Sequence, residues 1–231
     1  MVRGAEYLDW IGTLPAEVRA AVLAQMTPLS LPAGAFLYER GSPSKGIFRI
    51  NKGSVRLYFL TASGRELVLK RFHPTESVGE VATIEGRHHE LFAEAITDCE
   101  LEVLSFEKLE MLREQYPAVN SALLIVMTHV ARNALNFIEE IAVFSLEARV
   151  ASRLRWLASC ADARGEEVKQ LKIPQKELGL MVGASRQAIN KVLSDMQKLG
   201  VLKTSYGAIS IIDVEKLQQI SEQAEKRYSD D

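Results

Sequence analysis

The stretch Leu171–Gly207, LKIPQKELGLMVGASRQAINKVLSDMQKLGVLKTSYG, decides the reading of this chain. It divides into two short helices, a tight turn and a two-stranded hairpin. Ser185 offers an N-cap hydroxyl, and Ile189, Val192, Leu193, Met196 and Leu199 follow at helical spacing, so one apolar stripe is predicted on the second helix. The other side carries Arg186, Gln187, Asn190, Lys191, Gln197 and Lys198, all able to meet phosphates or base edges. Ahead of it, Gln175–Val182 predicts a shorter helix that buries Leu178 and Met181, with Gly179 small enough for close helix approach. Gly183-Ala184 supplies the turn that a helix-turn-helix needs. After Gly200, the segments Val201–Thr204 and Ile209–Ile212, joined through Tyr206-Gly207, predict a wing. A helical hairpin that merely packs shares this motif, so the upstream chain bears on the choice.

On these residues, LGLMVGASRQAINKVL and the LGVL that follows, the segment resembles the winged helix of the cyclic-AMP receptor protein and fumarate-nitrate regulator family of bacterial transcription regulators. The resemblance implies binding to a double-stranded DNA operator. Arg186, Gln187 and Lys191 match the family's base-reading positions, Asn190 shares their face, and Ser185 is expected at a phosphate. Relatives carry Glu where this chain has Gln187. Gln favours adenine where Glu accepts from cytosine, so the family's operator is not carried over whole.

Working outward, Phe36–Tyr38, Gly46–Asn51, Ser54–Leu60, Glu66–Phe72, Leu91–Ala95 and Cys99–Ser105 are short β-rich segments punctuated by Gly34, Gly41, Gly53, Gly64 and Gly79. Many short strands with regular turn signals predict a sandwich or barrel. Residues 31–80, LPAGAFLYERGSPSKGIFRINKGSVRLYFLTASGRELVLKRFHPTESVGE, are similar to the β-roll of the same family's cyclic-nucleotide-binding domain. The spacings of Gly34, Gly41, Gly53 and Gly64 match it, each expected at a turn where positive φ is cheap. Thr75 is a departure, because the family has Gly after Pro74. Residues Glu6–Met26 read as short amphipathic helices, the second opening at Leu14-Pro15. The resemblance runs from Leu31 to Ile212, with both modules in the family's order.

Between the modules lies a helix that Pro117 can begin. Leu124, Met127, Ala131, Ala134, Ile138 and Ile141 form a stripe near period 3.5, widened by Leu123, Val130 and Phe137. Such a helix also suits the core of a single domain. The resemblance implies instead a parallel coiled coil between two subunits, with the small Ala131 and Ala134 allowing close approach. A further helix, Leu146–Cys160, is capped by Ser145, and Phe144-Ser145 is the candidate hinge.

The resemblance also implies an effector pocket. The family pairs a Gly-Glu, the Glu accepting a ribose hydroxyl, with a later Arg-Ser that holds the cyclic phosphate. Gly79-Glu80 occupies the first place here, but His89 and Glu90 stand where Arg and Ser belong. His lacks the guanidinium fork, and a carboxylate repels phosphate. Ala134 and Leu135 replace the Thr and Ser that would bond adenine, and Val130 adds a third apolar residue to that edge. Cyclic AMP is therefore not the expected effector. Some relatives sense gases through haem, so His73, His88, His89 and His129 raise that cofactor, although surface or structural roles suit them better. Two isolated cysteines cannot hold an iron-sulfur cluster. His88-His89-Glu90 is a poor metal site because adjacent side chains diverge, and no metal is expected.

Composition fits this picture. A length of 231 residues suits about two domains. Residues 145–207 hold eleven Lys and Arg against six Asp and Glu, a balance of +5, while the remainder holds seventeen against twenty-four, −7, giving the chain its −2. A basic carboxy-terminal part on an acidic body suits a DNA reader attached to something else. Cys99 and Cys160 fit a reducing cytoplasm, no signal pattern is visible, and the apolar run Ala122–Val130 falls short of the ~20 residues of a membrane span. No Gly-x-Ser-x-Gly, P-loop or His-Glu-x-x-His is present, so no enzyme is expected.

The expected architecture is α+β. Residues 1–116 form a cyclic-nucleotide-binding-like β-roll effector domain with N-terminal helices, 117–144 a dimerisation helix and 145–231 a winged helix-turn-helix. The expected function is that of a cytoplasmic, homodimeric, sequence-specific transcription regulator, meeting RNA polymerase if it activates. A haem- or small-molecule-sensing member of the family, or a ligand-binding or interaction module that has lost DNA binding, are the alternatives.

Overall fold

The β-rich segments pair entirely antiparallel in the computed structural model, which describes residues 9–60, 64, 66–163 and 170–222, apart from the side chains at 140–141 and 160–163. One sheet has the order β1 (Thr27–Leu31), β8 (Cys99–Leu104), β3 (Ile47–Lys52) and β6 (Ser77–Val78). The other runs β2 (Phe36–Tyr38), β7 (Phe92–Ala95), β4 (Val55–Leu60) and β5 (Glu66–Phe72). Alternation sends Phe48, Ile50 and Leu101 from the first sheet, and Val55, Phe72, Ala93 and Ala95 from the second, into one core. Gly34, Gly41, Gly53 and Gly64 all have positive φ, as their spacing predicts. Thr75 adopts the same region with φ 75°, a conformation that favours the glycine the resemblance implies at this position. The strands Thr27–Leu31 and Ser77–Val78 have no counterpart in the sequence reading. Each is short, and Pro28 breaks the β signal of the first.

Helices pack on this roll. They are α1 (Ala16–Gln25), the short α2 (Glu80–Glu85), α3 (Phe106–Gln115) and α4 (Pro117–Val143). A second core joins Trp10, Ile11, Val22, Leu109, Leu112 and the α4 residues Val119, Leu123 and Val126 to Ile47 and Leu104 at the strand ends. Only one N-terminal helix lies within the described residues. The other was expected around Glu6, which is outside them, and residues 9–14 form turns instead. Asp9 caps a single turn there, with Gly12 N–H donating to its Oδ1 at 2.9 Å and Thr13 N–H to its backbone O at 3.2 Å, and Pro15 follows before a longer helix can form.

The helix α4 has two apolar faces. Its first half turns Val119, Ala122, Leu123 and Val126 into the core, so Leu123 belongs to that face and not to the outer stripe. The outer stripe leaves Leu124 66% and Ile138 61% exposed, with Ala131 and Ala134 exposed between them. Met127 lies at the border, partly buried against the core. The side chain of Ile141 lies outside the described residues. By length and composition Pro117–Glu139, 23 residues, could cross a membrane, which corrects the shorter apolar run read from sequence. Arg132 and Asn133 end that run without breaking the helix.

The described residues cluster into two compact units, one ending at Arg132 and the other starting at Asn133, so α4 runs through both. In the second unit α5 (Leu146–Ala163) begins after Ser145, whose Oγ accepts Ala148 N–H at 3.2 Å. It is followed by α6 (Gln175–Val182), α7 (Arg186–Lys198), the hairpin β9 (Leu202–Ser205) and β10 (Ala208–Ile211), and α8 (Val214–Glu222). Ile189, Leu193, Leu178, Met181, Leu154 and Leu217 are buried at its centre.

Candidate nucleic-acid interface and effector site

The recognition-helix candidate starts where the sequence predicts. Ser185 is its N-cap, with Oγ accepting Ala188 N–H at 3.2 Å. Ile189, Val192, Leu193 and Met196 are buried beneath it. Gly183 closes α6 in the left-handed region with φ 68°, and Ala184 N–H donates to Gly179 O at 2.9 Å. A Cβ on Gly179 would stand 2.9 Å from Ala184 O, so the close approach depends on glycine. Ser185, Arg186, Gln187, Asn190 and Lys191 are all exposed and share the side opposite the buried stripe. Leu199 is a correction to that stripe: α7 ends at Lys198, Gly200 turns the chain at φ 74°, and Leu199 is left 62% exposed as the C-cap. The positive end of the helix dipole and the Arg186 guanidinium therefore face solvent together.

Beside α7 stands the wing. Leu171 and Ile209 exchange backbone hydrogen bonds of 2.8 and 2.9 Å, making a three-segment ladder in which β9 is the outer edge. Gln197, on the last turn of α7, accepts from both Thr204 N–H at 3.1 Å and Thr204 Oγ1–H at 2.9 Å. Tyr206 projects fully from the tip. The sequence gives no signal for the Gln197–Thr204 contact, because it depends on where the edge strand falls against the helix.

Within the β-roll, Gly79, Glu80 and His89 gather around Tyr38. A Cβ on Gly79 would lie 3.7 Å from Tyr38 Cε1, and the His89 ring stacks on the Tyr38 ring at 3.5 Å with 4° between planes. Burial and the Glu80 carboxylate push the Tyr38 hydroxyl above its ordinary range. His89 is 4% exposed, and burial lowers its pKa to about 4. The ring is neutral at physiological pH, and its Nε2 has no hydrogen-bond partner among the described residues. Glu80 is buried too, which raises its pKa against the opposing hydrogen bond from Ser77. Trp10 Nε1–H donates to Ser77 Oγ at 2.9 Å, and Ser77 Oγ–H donates to Glu80 Oε1. This chain from Trp10 is invisible in the sequence, since 67 residues separate Trp10 from Ser77.

Glu90 does not join them. It is exposed, with its carboxylate 4.0 Å from Arg40 Nη2. Val130, Ala134 and Leu135 are exposed on α4. His88 is exposed as well, and His73 and His129 each have interactions within the protein.

Comparison with known proteins follows the same two modules. Residues 28–116 match the cyclic nucleotide-binding domain family, and residues 148–220 match the Crp-like helix-turn-helix domain family. The chain is 30% identical over 198 residues to the transcriptional regulator SdrP of Thermus thermophilus, covering 84% of this chain and 94% of that protein. It is 25% identical over 200 residues to the CRP-like cAMP-activated global transcriptional regulator of Mycobacterium tuberculosis, covering 86% and 89%. Among solved structures, the c-di-GMP responsive global regulator CLP of Xanthomonas campestris is similar with a TM-score of 0.75 at 24% identity, covering 85% of this chain and 99% of that one. With a nucleotide-binding-type β-roll, a long helix and a helix-turn-helix in that order, the chain belongs to the Crp/Fnr family of transcription regulators.

Proposed function

We propose that this regulator binds DNA as a homodimer, reading base edges with Arg186, Gln187, Asn190 and Lys191 while Ser185 meets a phosphate. The observation that carries the reading is the polar, exposed face of α7 directly opposite a fully buried apolar one. At the end of that side Gln197 and Lys198 are taken up by Thr204 and Asp195, but near its start Arg186 makes no ion pair among the described residues. A helix so placed can enter the major groove, where Arg suits guanine and Gln suits adenine. The outer stripe of α4, Leu124, Ala131, Ala134 and Ile138, supports self-association, because it is apolar and uncovered in the single chain. Residues 1–116, 117–144 and 145–231 then serve as sensor, dimer seam and DNA reader. Function on DNA puts the protein in the cytoplasm, and as an activator it would also meet RNA polymerase there.

The sensor, in this reading, does not take cyclic AMP. At the phosphate position the neutral His89 offers no cation, and Glu90 is turned to solvent beside Arg40. Glu80, which would receive a ribose hydroxyl, already accepts from Ser77. A gel shift with genomic fragments at increasing salt tests the DNA reading. Binding that selects particular fragments and weakens steeply with salt supports it. A chain that retards no fragment at low salt would favour an interaction module instead.

A further inference from the structure

The contact between α7 and the wing has a use beyond stability. Gln197 is exposed, so in the free protein its two hydrogen bonds to Thr204 compete with water and add little to folding. They do fix geometry. The wing is tied to α7 at its base, where Val201 N–H donates to Met196 O at 3.0 Å. Through β10 the hairpin is also held by the Leu171–Ile209 ladder, and Gln170 Nε2–H donates to Ser205 Oγ at 3.0 Å, but neither of these contacts reaches α7. Gln197 adds a second tie at Thr204, two residues and about 7 Å of strand from Tyr206 at the tip. Because β9 is the edge strand, that tie also occupies an edge N–H that would otherwise be open. On the opposite side of the same strand Lys203 is exposed and makes no ion pair among the described residues.

We propose that Gln197 is a positioning residue for DNA recognition. By holding Thr204 it sets the wing against the recognition helix, so that Tyr206 meets the sugar-phosphate backbone beside the bases faced by Arg186. The inference rests on the DNA-binding reading above and adds a second contact element to it.

The test uses the full chain and a duplex that the native protein selects from a randomised pool. Gln197→Leu keeps the size and helical propensity but removes the acceptor, and Tyr206→Ala removes the tip. Both variants are expected to weaken binding and to lose the same backbone protection in a hydroxyl-radical footprint. The double variant is expected to bind no worse than Tyr206→Ala alone. Thr204→Ser, which keeps both donors, should match the parent. Base preference and the melting temperature should stay unchanged in Gln197→Leu, which a purely structural role would not allow.

A Gln197→Leu protein with the parent's footprint and affinity overturns the proposal, as does strict additivity with Tyr206→Ala. If the parent selects a duplex and only these results fail, the DNA-binding reading stands without the positioning role. If the parent selects nothing, both fall.

Discussion

Thr75 holds a left-handed backbone that a β-branched side chain rarely adopts, at a cost of about 1–3 kcal/mol. Its N–H donates to Ile50 O at 2.8 Å, a bond that glycine would keep. Thr75→Gly should therefore stabilise the β-roll by about 1 kcal/mol in urea unfolding, after allowing for the added freedom of the unfolded chain. His89 makes a second residue-scale prediction. Its pKa is lowered from 6.5 to about 4, so between those values the unfolded chain binds a proton that the native one does not. Stability from this group is fully present above pH 6.5 and lost as pH falls towards 4, by up to roughly 3 kcal/mol. Glu80 works the other way, since its raised pKa loses stability as pH rises. His89→Phe keeps a ring against Tyr38 and should flatten the acid limb by about one proton in melting curves across that range. An unchanged limb would mean that His89 is solvated. The substitution of His for a phosphate-binding Arg was legible in the sequence. Its neutral, stacked state was not, because that depends on Tyr38 arriving from a distant strand.

At the scale of elements, the helices and strands with strong periodicity were legible and the short ones were not. Gln175–Val182 and the N-cap at Ser185 appear as read, since an apolar stripe, a cap and a turn glycine agree there. The two-residue β6 and the six-residue α2 carry too few residues for any period to register. The case of α4 is instructive, because its apolar positions serve two purposes. Leu123 and Val126 face the core, whereas Leu124 and Ile138 face outward, and one broad stripe in sequence hides that division. This placement also chooses the variant for testing self-association. Met127 packs partly on its own domain, so a charge there would damage the fold as well as the seam. Leu124→Glu touches only the outer face. It should give monomers in sedimentation with an unchanged circular-dichroism spectrum, because two carboxylates would meet unpaired across an apolar contact. A dimer of parental stability would place the seam elsewhere.

At the scale of the whole molecule, the chain joins a helix-turn-helix whose α7 presents an exposed polar face to a β-roll in which, on the proposed reading, His89 and Glu90 stand in place of a phosphate anchor. Replacing a charge-assisted phosphate contact with a neutral or repulsive group costs about 2–5 kcal/mol, or roughly thirty- to several-thousand-fold in affinity. Millimolar cyclic AMP should therefore give no specific heat in calorimetry and should leave DNA affinity unchanged. Saturable micromolar binding that tightens DNA binding would require a phosphate anchor other than His89 and Glu90. Two-fold association and the face of α7 make a joint demand on the DNA. Each subunit should read one half-site, with centres about 34 Å apart along the duplex. Arg186→Ala should cost ~1–3 kcal/mol on the preferred site and relax one position in each half. Sequencing the duplexes that the native protein retains from a randomised pool tests all of this at once. The expected result is an inverted repeat with its half-sites one helical turn apart, in which one position per half-site loses its preference in Arg186→Ala. No enrichment, an unrepeated motif, or a motif indifferent to Arg186 would contradict it.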